Sequence, residues 1–162
     1  MEITVPDVGS LKARTSTNEI LLRLYQYWDE KRGEKLFPAR TDLDLLEFTY
    51  ALSWVSLVDV EQSPLRFHYR LVSTTLTDRL GYEMTHRYTD DIPEEDTRRY
   101  VQKLYARCVD QRMPIYEKST RAFAAKIWEH EALVLPLSSN QEAIDMLMVY
   151  RATFDPKPLR LG

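Results

Sequence analysis

The stretch FHYRLVSTTLTDRLG, Phe67 to Gly81, changes its hydrophobic period half-way along. Phe67, Tyr69 and Leu71 alternate with His68 and Arg70, the period of two expected of a half-buried strand. From Thr74 onward the apolar residues Leu76 and Leu80 stand four apart, the spacing of a helix, and Gly81 follows as a stop. Only Ser73 and Thr74 lie between the two patterns. A strand therefore delivers the chain straight into a short helix, and the fold must place helices directly against the sheet that holds that strand.

The remaining elements can be read around this join. Asn18 is a capping residue for a helix whose apolar positions are Ile20, Leu21, Leu24, Tyr25, Tyr27 and Trp28, with Gly33 placed to end it. Asp42 to Tyr50 reads as a short second helix. Trp54 to Glu61 is rich in β-branched residues and reads as the first strand. After Gly81 the chain is polar and irregular as far as Ile92. A long helix is then predicted from Pro93 to Arg112, with acidic residues in its first turn and an apolar stripe of Tyr100, Val101, Leu104, Tyr105, Cys108 and Val109. Three strand-like runs close the chain, Ile115 to Arg121, Ala125 to Leu137 and Ala143 to Phe154, the last two joined by SSNQE, a connection without glycine. Residues 1–17 read as a flexible lead, 18–154 as one domain and 155–162 as a tail.

Composition removes several function classes. A chain of 162 residues with 44% apolar and 29% charged residues is ordinary for one soluble domain. No apolar run reaches the ~18 residues of a membrane span, and MEITVPDVGS lacks the basic start and apolar core of a secretory signal. The single cysteine, Cys108, excludes an internal disulfide and fits a cytoplasmic protein. A net charge of −3 argues against nucleic acid as a partner. The four glycines are too scattered for a phosphate-binding loop, and no G-x-S-x-G elbow is present. His68, His86 and His130 have no second histidine or cysteine at metal-ligand spacing.

Several words of the sequence resemble a family of bacterial proteins that consist of little more than one PAS domain. Tyr27 and Trp28 match the aromatic end of that family's first helix. Pro38, Arg40, Asp42 and Asp44 match its following turn. Val58, Asp59 and Val60 match its first strand, Tyr69 to Val72 its second, and Pro136, Leu137, Asp145 and Met146 its final hairpin. The resemblance spans roughly residues 18–154 and rests on the order and spacing of these words. It implies an α+β fold with a five-stranded antiparallel sheet in the order 2-1-5-4-3, helices on one face and an N-terminal flanking helix. Three positions depart from the pattern: Ser73 and His86 stand where the family has glycine, and SSNQE lacks the family's hairpin glycine.

The implied function is a cytoplasmic sensory or regulatory module. It would bind a small ligand or a partner protein and signal in trans by association. Pocket candidates are Tyr69, Leu71, Leu76, Leu80, His86, Arg87, Leu104, Leu133 and Met146, although the same apolar residues could fill a solid core. Arg70, on the opposite strand face, could pair with an acidic neighbour or hold a ligand carboxylate, with pairing the commoner case. His130 alternates with Trp128 and Ala132 and reads as a sheet-surface residue, and Cys108 as a small buried hydrophobe. No flavin-adduct cysteine motif occurs, and the long helix carries no histidine for haem, so neither cofactor is expected. The broad stripe of Ile20, Leu21, Leu24, Tyr27 and Trp28 predicts a homodimer through the first helix, unless residues 34–53 fold back over it. The alternative function is a small cone-shaped isomerase, which would need Glu129 or Glu131 as a base in an apolar cavity.

Overall fold

The computed structural model describes residues 18–123, 125–154 and 157–158. The proposed lead, 1–17, and most of the 155–162 tail lie outside the described residues. Three α-helices, α1 (Glu19–Arg32), α2 (Thr74–Leu80) and α3 (Glu95–Gln111), accompany six strands: β1 (Val55–Glu61), β2 (Arg66–Leu71), β3 (Ile115–Phe123), β4 (Lys126–Leu137), β5 (Met146–Thr153) and β6 (Lys157–Pro158). The main sheet runs β2-β1-β5-β4-β3, as expected, and every pairing is antiparallel. The two-residue β6 adds to β4 beside Lys126 and Ile127, inside the segment read as a tail.

Local signals set the helix ends. Asn18 accepts the Leu21 amide at 3.1 Å and caps α1, and Gly33 ends it at φ +58°. Ser73 caps α2 by accepting the Leu76 amide, and Gly81 ends that helix in the left-handed region at φ +78°. One expected element does not form. Residues 42–50 are not an α-helix; the chain from 40 to 54 makes three short 3-10 turns, Arg40–Asp42, Leu45–Phe48 and Leu52–Trp54. Asp44 explains part of this change, because its side chain accepts the Leu46 amide and starts a new tight turn in mid-segment.

Alternation sorts the sheet into two covered faces. On the face turned to α2 and α3 stand Ser56, Tyr69, His130, Ala132, Val149 and Arg151. On the other face Glu131 and Tyr150 reach Asn18 at the start of α1, and the Trp28 indole N–H donates to the carbonyl of Pro136 at 2.9 Å. With both faces covered, Leu133, Val134, Leu135 and Leu137 are all fully buried, so β4 is a near-continuous apolar run in its second half.

The first helix does not present a free apolar stripe. Leu21, Leu24 and Trp28 are wholly buried within the chain and Tyr27 is 8% exposed, leaving Ile20 alone of the proposed dimer residues partly open. The covering comes from the sheet on one side and the 3-10 turns on the other. The Tyr27 hydroxyl accepts the Asp44 amide at 3.0 Å and donates to Glu47, and its ring packs against Phe48. The surplus surface that motivated a dimer through α1 is thus consumed by residues 37–48.

Candidate functional site

Between the inner sheet face and the helices α2 and α3 lies a cavity of about 450 Å³. Strand β2 supplies Tyr69 to its wall, and the abrupt strand-to-helix join then turns the chain so that Leu76, Arg79 and Leu80 of α2 close one side. Met84 and Ile92 follow from the connecting loop. Helix α3 contributes Asp96, Thr97, Tyr100, Val101 and Tyr105, and the sheet adds Ser56, Ser119, Thr120, His130, Ala132, Val149 and Arg151.

Polar groups in this wall are ordered by one another. The hydroxyls of Tyr69 and Tyr105 lie 3.1 Å apart, both buried, and burial raises both pKa values above the usual phenol range. The Ser56 hydroxyl accepts the Ser73 amide at 3.0 Å, which ties β1 to the first turn of α2. His130 hydrogen-bonds Thr153 through Nδ1 at 2.7 Å. Arg151 places its guanidinium 5.4 Å from the centre of the Tyr100 ring, and its Nη2 atom is buried with no hydrogen-bond partner among the described residues. Arg79 approaches from the exposed end of α2, its pKa lowered by burial first and by Arg151 second.

Of the pocket candidates, the structure brings Tyr69, Leu76 and Leu80 together at the cavity. It puts the others elsewhere, for reasons of geometry. Leu133 and Met146 belong to the opposite sheet face: Leu133 stands beside Tyr150 in the register, one residue out of phase with Ala132. Leu71 is displaced by a bulge, since Tyr69 pairs with Val58 but Leu71 with Leu57, so the extra residue in β2 breaks the alternation. Leu71 instead lines a separate surface recess with Leu45, Leu52 and Val55. Leu104 is buried in the core without reaching the cavity wall. His86 and Arg87 are exposed, and their backbone covers the edge of β2: the His86 amide donates to Tyr69 at 2.7 Å, and the Tyr69 amide to Arg87 at 2.9 Å.

His130, read as a surface residue, lines the cavity. Arg70 forms an ion pair with Asp59, both carboxylate oxygens lying 3.1 Å from its Nε, on the face away from the cavity. Glu131 is 2% exposed and accepts from Asn18 and Tyr116, but it too points away from the cavity. Arg79, Arg151 and Tyr105 were missed in the sequence. A signal did exist for Arg151: it follows Leu147 and Val149 at period two, a cation in an otherwise apolar strand face.

Among the described residues no group of three or more histidine, cysteine, aspartate or glutamate side chains could hold a metal ion. No described helix is long and apolar enough to cross a membrane. Cys108 sits behind the wall, its thiol donating to the carbonyl of Met113 at 3.3 Å and facing that of Val134 at 3.7 Å, and burial pushes its pKa well up.

No curated protein matches the chain. Several solved structures align with it, two of which follow. One is a domain of an HTR-like protein from Haloarcula marismortui, at 10% identity and TM-score 0.41, over 62% of this chain and 98% of that one. The other is a fungal LOV domain photoreceptor, at 13% identity and TM-score 0.42, over 71% of this chain and 94% of that one. A family model described as a PAS domain matches residues 16–150, a span that takes in α1, the whole α2–α3 layer, the sheet through most of β5 and every cavity-lining residue except Arg151. The chain belongs to the PAS domain family.

Proposed function

We propose that this PAS domain is a sensory module whose small-molecule ligand occupies the cavity under α2 and α3, and that it signals by associating with a partner protein. The observation that carries this reading is the cavity itself. About 450 Å³ of space remains where a solid core was the slightly favoured expectation, walled by apolar side chains with a few convergent polar groups. Because β2 enters α2 through only two residues, an occupant that moves α2 also acts on the edge of the sheet.

The enzyme alternative draws little support from the wall. Asp96 is the one carboxylate lining the cavity among the described residues, and it is exposed at the start of α3. Glu131 is buried but lies on the opposite face, and the paired tyrosines, with raised pKa values, stay protonated at neutral pH. Neither flavin nor haem is proposed as the ligand, because the adduct motif is absent and the lone thiol faces backbone carbonyls outside the cavity. The purified protein is expected to be colourless. A cytoplasmic location and the lack of nucleic-acid or membrane partners remain part of the proposal, supported by the net charge of −3 and the single cysteine. A homodimer would have to use surfaces other than the buried stripe of α1.

Native mass spectrometry of the purified chain tests the reading. A non-covalent mass increment that is lost on denaturation is expected, and it should weaken or vanish in Val149→Phe, which puts a phenyl ring into the cavity. A bare mass, together with no thermal shift across a library of small metabolites, would reject the cavity as a ligand site.

A further inference from the structure

We infer that the cavity is built for an organic anion, a carboxylate head on an apolar body, with Arg151 and Arg79 as the anion-binding groups. The inference rests on reading the cavity as a ligand site. Its starting point is Arg151 Nη2, a buried donor without a hydrogen-bond partner among the described residues. Buried polar groups are nearly always hydrogen-bonded, so an orphaned guanidinium nitrogen in a cavity wall calls for an absent acceptor. Four arginines elsewhere pair with acids, Arg32 with Asp29, Arg66 with Asp90, Arg70 with Asp59 and Arg99 with Glu95, while Arg40, Arg98 and Arg112 donate to backbone carbonyls. Among the described residues no carboxylate oxygen lies within 4.0 Å of Arg151 or Arg79.

The neighbouring acids are accounted for. Glu117 stands in the same cross-strand row as Arg151, separated by Ala132, near the Tyr100 ring and outside ion-pair distance of either arginine. Asp96 lies exposed at the rim. The two cations thus face one cavity uncompensated, and a planar carboxylate matches the fork of a guanidinium. The opposite requirement comes from Leu76, Leu80, Met84, Val101 and Val149, which offer the remainder of the ligand an apolar surface. A small inorganic ion would leave that surface empty, and a neutral apolar molecule would leave Arg151 unpaired.

Calorimetric titration of the full chain with octanoate, octanamide and octyl phosphate tests this. Octanoate is expected to bind roughly ten- to hundredfold more tightly than octanamide, the loss that follows from removing a charge-assisted hydrogen bond. Arg151→Gln should bring octanoate down to the octanamide level, and Arg79→Gln, at the exposed rim, should give a smaller loss in a protein that folds normally. If Arg151→Gln does not fold, Arg79→Gln and the octanoate-to-octanamide ratio of the wild type decide. Tighter binding of octyl phosphate than of octanoate would keep the anion site and assign it a phosphoryl head. Equal binding of octanoate and octanamide would overturn the anion inference and leave the cavity reading standing. Binding of none of the three probes, with a bare native mass, would overturn both.

Discussion

Glu131 is a carboxylate held under a helix rather than in a pocket. It accepts from Asn18 Nδ2 at 3.0 Å and from the Tyr116 hydroxyl at 3.1 Å, and Asn18 in turn reaches the Tyr150 hydroxyl. Asn18 therefore does two things at once: its oxygen caps α1 and its amide nitrogen docks that helix on the sheet. Removing the acceptor strands buried donors, so Glu131→Ala should cost about 1–3 kcal/mol in urea unfolding, and Glu131→Gln less, because an amide oxygen can still accept. The tyrosines give a second residue-scale expectation. Burial raises the pKa of Tyr69, Tyr105 and Tyr116, and burial with a hydrogen bond to Glu94 raises Tyr82 to about 12. An unfolded phenol loses its proton near the ordinary tyrosine pKa of about 10 while the folded ones keep theirs. The unfolded state then binds fewer protons, and stability present below pH ~10 falls as pH rises above it. Denaturant midpoints from pH 8 to 11 should decline only in the upper part of that range. Tyrosinate absorbance should show a fraction of the ten tyrosines silent at pH 11 until the protein unfolds.

Helix α2 shows how an element of seven residues is held without a buried face of its own; none of its residues is fully buried. Its ends do much of the work. Ser73 caps the first turn with its hydroxyl and is tied through its amide to Ser56 on β1. Its φ of −62° needs no glycine, so the side chain that departs from the family pattern is used here as a cap. Ser73→Ala should cost about 1 kcal/mol and Ser73→Gly only a few tenths, read by thermal unfolding. At the other end Gly81 has φ +78°, with nothing within 4 Å of where a Cβ would stand. Gly81→Ala should therefore cost about 1 kcal/mol through backbone strain alone, with no clash. His86 presents the converse. It holds φ +65° with a side chain attached, and glycine, the residue of the resembling family, is the natural occupant of that conformation.

For the whole molecule, the sheet is a septum with helices α2 and α3 and the cavity on one side and α1 with its 3-10 turns on the other. The hairpin after β4 clamps the second side shut. The Gln141 side chain accepts the Phe37 amide at 3.1 Å and donates to the Phe37 carbonyl at 2.9 Å, while the Ser138 amide donates to Pro38. Gln141 itself sits at φ +65°, which is how SSNQE turns without glycine. A charge placed in this layer breaks the fold rather than an interface: Leu24 is wholly buried, and Leu24→Asp should cost more than about 4 kcal/mol, with circular dichroism showing loss of folding. A folded, soluble Leu24→Asp protein of altered mass in light scattering would instead restore α1 as a contact between copies. On the cavity side, Val149→Phe should keep or raise the thermal midpoint while weakening or excluding ligand binding, since it adds apolar volume to existing space.

The chain's local chemistry determined the helix and strand inventory. Period two up to Val72, period 3.6 in α1 and α3, Asn18 and Ser73 as caps, and Gly33 and Gly81 as stops are all consequences of interactions within a few residues, and they are written in adjacent positions. The strand order 2-1-5-4-3 was legible through the order of short family words, which local physics alone does not supply. What tertiary structure decided was facing. A bulge in β2 moved Leu71 off the face of Tyr69, and one residue of phase on β4 put Leu133 under α1 instead of at the cavity. Whether Leu24 and Trp28 were spare or spent depended on residues 37–48, whose turns fold over α1 through the contacts of Tyr27. The place of Arg151 in the cavity wall was decided only by setting β5 between β1 and β4, because the surroundings of a side chain are a property of strands distant in sequence.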